Sequence, residues 1–207
     1  SDRISLRLDE KGQIYSDQDE RFLRVCLEGQ ALIASSKAFF QNNLEVTEIL
    51  CRKISEWVGQ AHPETFFDLY AGAGTFSLLC ASHIRRVFCV EENLFAVSAL
   101  RMNKEEKGYA HFEIAQGRVE DIFPGLWAKE GKPESLIFLD PPRQGMEKRL
   151  AETLAKDCRA QAMIYVSCDI ATLARDLRVL LAGGYWRLSE AVPLDMFPRT
   201  KHIEAAV

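Results

Sequence analysis

From Thr65 onward, short β-patterned runs alternate with helix-patterned stretches, and this alternation limits the fold more than any other feature of the chain. Thr65–Tyr70, Arg86–Glu91, His111–Ala115, Ser135–Leu139 and Met163–Val166 read as strands. Tyr185–Val192 and His202 onward add two more. Helical stretches lie at Thr75–Ser82, before Gly108, and from Ile170 to Gly183-Gly184, the last with Ile170, Leu173, Leu177 and Leu180 on one face. Strands joined through short helical crossovers predict an α/β fold, a doubly wound, mostly parallel seven-stranded sheet. Ahead of it, Phe40, Leu44, Thr47, Cys51, Ile54 and Val58 recur at spacings of four and three, which predicts a helix ended by Gly59 and Pro63.

Residues 1–35 differ in pattern. Ile4–Leu8 and Leu23–Leu27 alternate with period two, and Glu10-Lys-Gly-Gln13 reads as a turn. The expectation is a short β-rich segment, 1–35, left from a preceding domain or lying as a flap on a main domain of 36–207. The 207 residues suffice for one well-buried domain with a small appendage. No apolar run approaches a membrane span and no charged-then-apolar leader opens the chain, so a cytoplasmic protein, or a piece of one, is expected. The six cysteines include no Cys-x-x-Cys pair, so reduced thiols are expected, with neither a metal site nor a disulfide framework. Residues 142–207 hold 10 Lys/Arg against 8 Asp/Glu, within a chain of net charge −4. That bias permits a polyanionic partner without requiring one.

Asp68-Leu-Tyr-Ala-Gly72-Ala-Gly74-Thr75 falls between the first strand of the alternation and its helix, where glycines let the backbone turn tightly against a ligand. Glu91 ends the next strand, placed to accept hydrogen bonds from both hydroxyls of a ribose. Nicotinamide and S-adenosylmethionine proteins share this arrangement. Asp140-Pro-Pro-Arg143 ends the fourth strand. Its prolines fix φ and donate no main-chain hydrogen bond, giving a stiff loop suited to a flat base edge near a methyl donor. The fifth strand ends in Ser167-Cys168-Asp169, which puts one thiol at the carboxyl end of a buried strand. Position alone leaves Cys168 open between a nucleophile and a small apolar filler.

Taken together, Phe39-Phe-Gln-Asn-Asn43, Asp68-Leu-Tyr-x-Gly-x-Gly74, Asp140-Pro-Pro-Arg-x-Gly145, Tyr165-Val-Ser-Cys-Asp-x-x-Thr-x-x-Arg-Asp176 and Asp195-Met-Phe-Pro-x-Thr-x-His-x-Glu204 resemble, in order and spacing, the RNA uridine-5-methyltransferase family. Its members form 5-methyluridine in transfer or ribosomal RNA. The resemblance runs from about Phe39 to the C-terminus and implies a Rossmann-like S-adenosylmethionine methyltransferase fold with S-adenosylmethionine as cofactor and RNA as substrate. By position it implies Gln41, Tyr70, Gly72, Gly74, Thr75, Glu91, Gly117 and Asp140 at the cofactor. It implies Cys168 as nucleophile and Glu204 as base, with Pro141, Arg143, Arg175, Phe197 and His202 toward the RNA. Thr75 stands where the family usually has Asn, and Gly117 where a polar residue often reaches the adenine. The family's N-terminal RNA-binding barrel and the cysteine cluster of some members have no counterpart here. An excised catalytic domain or a reduced member is therefore expected, acting as a monomer without a metal.

The implied chemistry has a physical logic. Carbon 5 of uracil attacks a methyl sulfonium only after a thiolate adds to carbon 6, and a base must then remove the carbon-5 proton before the thiolate leaves. The helix beginning near Ile170, with Arg175, is expected to favour the thiolate. A uridine in folded RNA must also leave its stack, for which Phe39, Phe40 and Phe197 are candidate platforms. The rivals are an RNA cytosine-5-methyltransferase, which uses the same thiol attack, and a non-catalytic RNA-binding module retaining the cofactor fold. A nicotinamide-dependent dehydrogenase is more distant.

Overall fold

The computed structural model describes residues 6–8, 14–16, 22–41, 43–80, 84–196, 198–200 and 203–207. A two-stranded sheet pairs β1 (Leu6–Leu8) with β2 (Ile14–Ser16), and a hairpin pairs β3 (Phe22–Leu27) with β4 (Gln30–Ser35). The turn expected at residues 10–13 lies outside the described residues. Helix α1 (Leu44–Ala61) follows, then β5 (Thr65–Leu69), α2 (Thr75–Cys80), β6 (Arg86–Glu91), α3 (Leu94–Lys107) and β7 (Phe112–Gln116). The chain continues through α4 (Val119–Glu130), β8 (Ser135–Leu139), α5 (Lys148–Lys156), β9 (Ala162–Ser167), α6 (Ile170–Ala182), β10 (Val192–Leu194) and β11 (Glu204–Ala206). No helix among the described residues is long and apolar enough to cross a membrane.

The main sheet has seven strands in the order β10-β11-β9-β8-β5-β6-β7. β9, β8, β5, β6 and β7 run parallel, whereas β11 lies antiparallel to both β9 and β10. The order reverses between β5 and β8, and in open sheets of this kind ligands bind beyond the carboxyl ends at that reversal. β5 and β8 are buried throughout. Their alternate side chains feed two cores: Phe66, Leu136 and Phe138 pack with α1 residues Leu50 and Ile54, while Phe67, Leu69 and Ile137 pack with Phe123 and Leu154. Covering both faces is what lets such strands read as continuous apolar runs.

Three sequence expectations shift. Asn43 caps α1 by accepting from the Val46 amide, so Phe40 precedes the helix instead of starting its buried face. That helix passes Gly59 and ends at His62, which is left-handed at φ 47°. Tyr185–Val192 is not a strand: the Tyr185 hydroxyl donates to the Ala160 carbonyl and Trp186 Nε1 to the Leu154 carbonyl, so the aromatic alternation anchors a loop, and the edge strand is Val192–Leu194. Helices α4 and α5 add to the expected elements. Pro124 and Gly125 stand inside the first and mask its pattern, whereas the second, of nine residues, buries Leu150, Ala151, Leu154 and Ala155 on one face.

Candidate active site

The loop after β5 is built by its backbone. Tyr70 takes φ 65°, Gly72 φ 55° and Gly74 φ 82°. A Cβ on Gly74 would come within 2.3 Å of Leu100 Cδ1, so only glycine fits this approach to α3. Non-glycine left-handed residues cost about 1–3 kcal/mol and persist where surroundings hold them. Here the Tyr70 hydroxyl donates to buried Glu120 at 2.6 Å. Glu91, at the end of β6, joins the loop to the next strand: its Oε2 accepts from the Gly72 amide at 2.8 Å and its Oε1 from the Asn93 amide at 2.7 Å. Gly117, at φ 148°, donates its amide to the Glu91 carbonyl at 2.9 Å.

Around this loop a cavity of about 620 Å³ opens at the carboxyl ends of the strands. Its lining includes Gln41, Tyr70, Gly72, Thr75, Glu91 and Asp140 of the expected cofactor set. Pro141, Arg143, Cys168 and Glu204 line it as well. Gly74, Gly117 and Arg175 do not, and Phe197 and His202 lie outside the described residues. Three residues that the sequence reading missed join the wall, namely Arg118, Glu120 and Glu147. Arg118 pairs with Glu147 and sits 3.7 Å from Glu120. The signal available in the sequence was a run of acids in the first turn after a strand, an ordinary feature of helix starts.

The cavity floor is acidic. Burial, then Glu204 and Asp68, hold the Asp140 carboxyl well above its ordinary range, and Gln41 Nε2 donates to its Oδ2 at 3.4 Å. Asp68 stands outside the lining at 1% exposure, with Ser77 the neighbour that lowers its carboxyl. Burial pushes this group up to about 7. No cluster of three His, Cys, Asp or Glu among the described residues is placed to hold a metal.

At the other end, β9 and β11 pair Ala206 with Val166 and Ala205 with Ser167. The same register carried one step further sets Glu204 opposite Cys168. Directly opposed residues in an antiparallel pair share a face, and both of these face the cavity. Glu204 is 4% exposed, and burial raises its carboxyl to about 7 against the opposing pull of Arg143. Cys168 is half-buried, and its thiol is raised by burial, then by Glu204, with Arg143 the cation that lowers it. The start of α6 does not outweigh these effects. Arg175, expected to supply charge to the thiol, instead bonds Asp176 through Nε at 2.8 Å and the Gln144 and Met146 carbonyls through one terminal nitrogen. Asp176, buried, also accepts from the Tyr165 hydroxyl at 2.7 Å and the Met146 amide at 2.9 Å. The Thr172 hydroxyl donates to the Arg143 carbonyl at 3.2 Å. The Thr-x-x-Arg-Asp portion of the motif thus clamps the Pro-Pro-Arg loop, while Asp169 caps α6 by accepting from the Thr172 amide.

Residues 47–179 match the family described as Conserved hypothetical protein 95. The chain belongs to this family. Among relatives of this family member is an uncharacterized RNA methyltransferase of Halalkalibacterium halodurans, 39% identical over 83% of the chain. The chain spans 37% of that relative's length. The crystal structure of the Pyrococcus abyssi tRNA (uracil-54, C5)-methyltransferase in complex with S-adenosyl-L-homocysteine superposes with a TM-score of 0.74. It is 33% identical, and the match covers 89% of this chain and 43% of that one. The likeness to the M. jannaschii tRNA m1G37 methyltransferase, at 13% identity and a TM-score of 0.63, covers 89% of this chain and 55% of that one and shows the fold alone. The fold of this family member is therefore the Rossmann-like one of S-adenosylmethionine-dependent methyltransferases, with the doubly wound sheet that its alternation predicts.

Proposed function

We propose that the chain is the S-adenosylmethionine-dependent catalytic part of an RNA methyltransferase that forms 5-methyluridine. The observation that carries this reading is that Cys168 and Glu204, each one residue on from the Ala205–Ser167 pair, line the same cavity as Glu91 and Gly72 of the glycine turn. The names of the relatives support RNA as substrate, and the uracil-C5 enzyme among the solved structures supports the base and the atom.

The residues present fit the cofactor. Glu91 can accept from a ribose, and a sulfonium with its ammonium group is a cation suited to the Asp140 carboxyl, which lines the cavity with no cation acting on it. When bound, the cofactor supplies an electrophilic methyl group. Cys168 gives its proton to solvent and its thiolate adds to carbon 6 of uracil, which sends an electron pair toward carbon 5 and the carbon-4 oxygen. Arg143 favours the thiolate. Carbon 5 takes the methyl group, and Glu204 then accepts the carbon-5 proton, so that electrons return to the ring as the carbon–sulfur bond breaks. A carboxyl held at about 7 is a stronger proton acceptor than an ordinary one and still largely ionised above neutrality. Pro141 and Arg143 line the cavity with the thiol, and Phe39, 70% exposed in the same lining, offers a face on which an unstacked base can lie.

The test is product analysis. RNA lacking 5-methyluridine, incubated with the protein and methyl-labelled S-adenosylmethionine, should yield labelled 5-methyluridine on digestion to nucleosides. Label in another nucleoside, 5-methylcytidine included, would reject the reading.

A further inference from the structure

We propose that Asn103 is a positioning residue that couples the N-terminal β3–β4 hairpin to the cofactor loop, so that the seating of the hairpin sets cofactor affinity. Asn103 lies on α3 and is 1% exposed. Its Oδ1 accepts from the Ile33 amide at 2.7 Å, and its Nδ2 donates to the Ile33 carbonyl at 2.8 Å. One side-chain amide thus pairs with the free edge of β4 as another strand's peptide would. The same Nδ2 donates its second hydrogen to the Ala73 carbonyl at 3.1 Å, in the middle of the Gly72–Gly74 turn. A primary amide has two N–H donors, and both are used, one on each structure. Ile33, Ala73 and Ala99 also form a small buried cluster of their own, so side-chain packing follows the same route as the hydrogen bonds.

No residue of the hairpin lines the cavity, although the chain runs on from β4 to Phe39, Phe40 and Gln41, which do. Asn103 adds a second route from the hairpin, through the turn. Three buried polar groups, two on Ile33 and one on Ala73, depend on this amide, and leaving such groups unpaired is costly. The turn also depends on Glu91 and on the contact of Gly74 with Leu100. Removing Asn103 would free the Ala73 peptide to rotate while those other holds remain. Coupling of this kind is reciprocal: a ligand that orders the turn must steady the hairpin to the same extent.

The inference rests on reading the cavity as the S-adenosylmethionine site, and the test separates the two. S-adenosylhomocysteine binding is measured by calorimetry for the wild type, for Asn103→Leu and for Leu154→Ala, the last removing bulk from the other core. The expected result is about tenfold weaker binding for Asn103→Leu, about 1.4 kcal/mol, with Leu154→Ala within twofold of the wild type despite its lower Tm. Equal Kd values for wild type and Asn103→Leu, or an equal loss in Leu154→Ala, would overturn the coupling. No binding by the wild type would instead reject the cofactor reading. Should Asn103→Leu fail to fold, hydrogen exchange of the wild type decides: saturation with S-adenosylhomocysteine should slow exchange in segment 30–35 severalfold, and unchanged exchange there overturns the proposal.

Discussion

Glu204 and Cys168 line one cavity, each one residue on from the Ala205–Ser167 pair that ends the contact between β11 and β9. An antiparallel strand inserted beside a parallel one brings a residue from the end of the chain onto the same face as the thiol. Their closeness also shapes the electrostatics, because the thiol lies in the field of Glu204 and both groups lie in that of Arg143.

That field predicts thiol reactivity in the absence of any substrate. Glu204 raises the Cys168 thiol and Arg143 lowers it. Alkylation of Cys168 by iodoacetamide near pH 8 should be faster in Glu204→Gln than in wild type and slower in Arg143→Gln, by severalfold in each case. Mass-spectrometric rates at the Cys168 peptide check this, and the reverse order would show that Arg143 does not act on the thiol.

Stability should depend on pH through the buried carboxyls. Asp68 and Glu204 are each raised to about 7 from ordinary values near 4, so between those limits the folded state holds protons that the unfolded state has lost. Stability is then full below about pH 4 for these groups and falls as pH rises through 7, by roughly 2–4 kcal/mol per group. Without ligand, the urea midpoint should be higher at pH 5.5 than at pH 8, and Asp68→Asn should flatten the difference. A midpoint that rises over this range in the wild type would contradict the assignment.

The clamp on the Pro-Pro-Arg loop is structural and should behave so. Asp176→Ala removes the acceptor for Tyr165, Arg175 and the Met146 amide at once. A loss of about 3 kcal/mol is expected, since donors and a guanidinium are left without their partner. Urea unfolding measures it. Arg175→Lys keeps the charge but cannot reach Asp176 and two carbonyls together, and should cost less.

Much of this arrangement was legible in the sequence because backbone requirements leave marks. The sheet announced itself through apolar strands punctuated by glycine and proline, and Gly72, Gly74 and Pro141 stand where a tight turn and a stiff loop need them. The Cys168 and Glu204 pairing followed from a resemblance, since no local pattern reveals an antiparallel register between segments so far apart. Arg175 was misread because a charge near a thiol in sequence need not face it: its side chain reaches back to the Gln144 carbonyl. Asn103 left no mark, since a polar residue within an amphipathic helix looks solvated until the fold buries it, and the acids around Glu120 read only as an ordinary helix start. The Tyr185–Val192 run misled because aromatic alternation also suits a loop anchored by its hydroxyl and indole groups.

The measurement that tests the central claim most directly is adduct trapping on RNA carrying 5-fluorouridine, where the carbon-5 substituent cannot be removed as a proton. With S-adenosylmethionine present, the wild type should form a complex with this RNA that survives denaturation, and Cys168→Ala should form none. On natural RNA, Glu204→Gln should accumulate the same complex while turnover falls by about 10²–10⁴-fold. A wild type and a Cys168→Ala variant that behave alike, or a Glu204→Gln variant that turns over at the wild-type rate, would contradict the account.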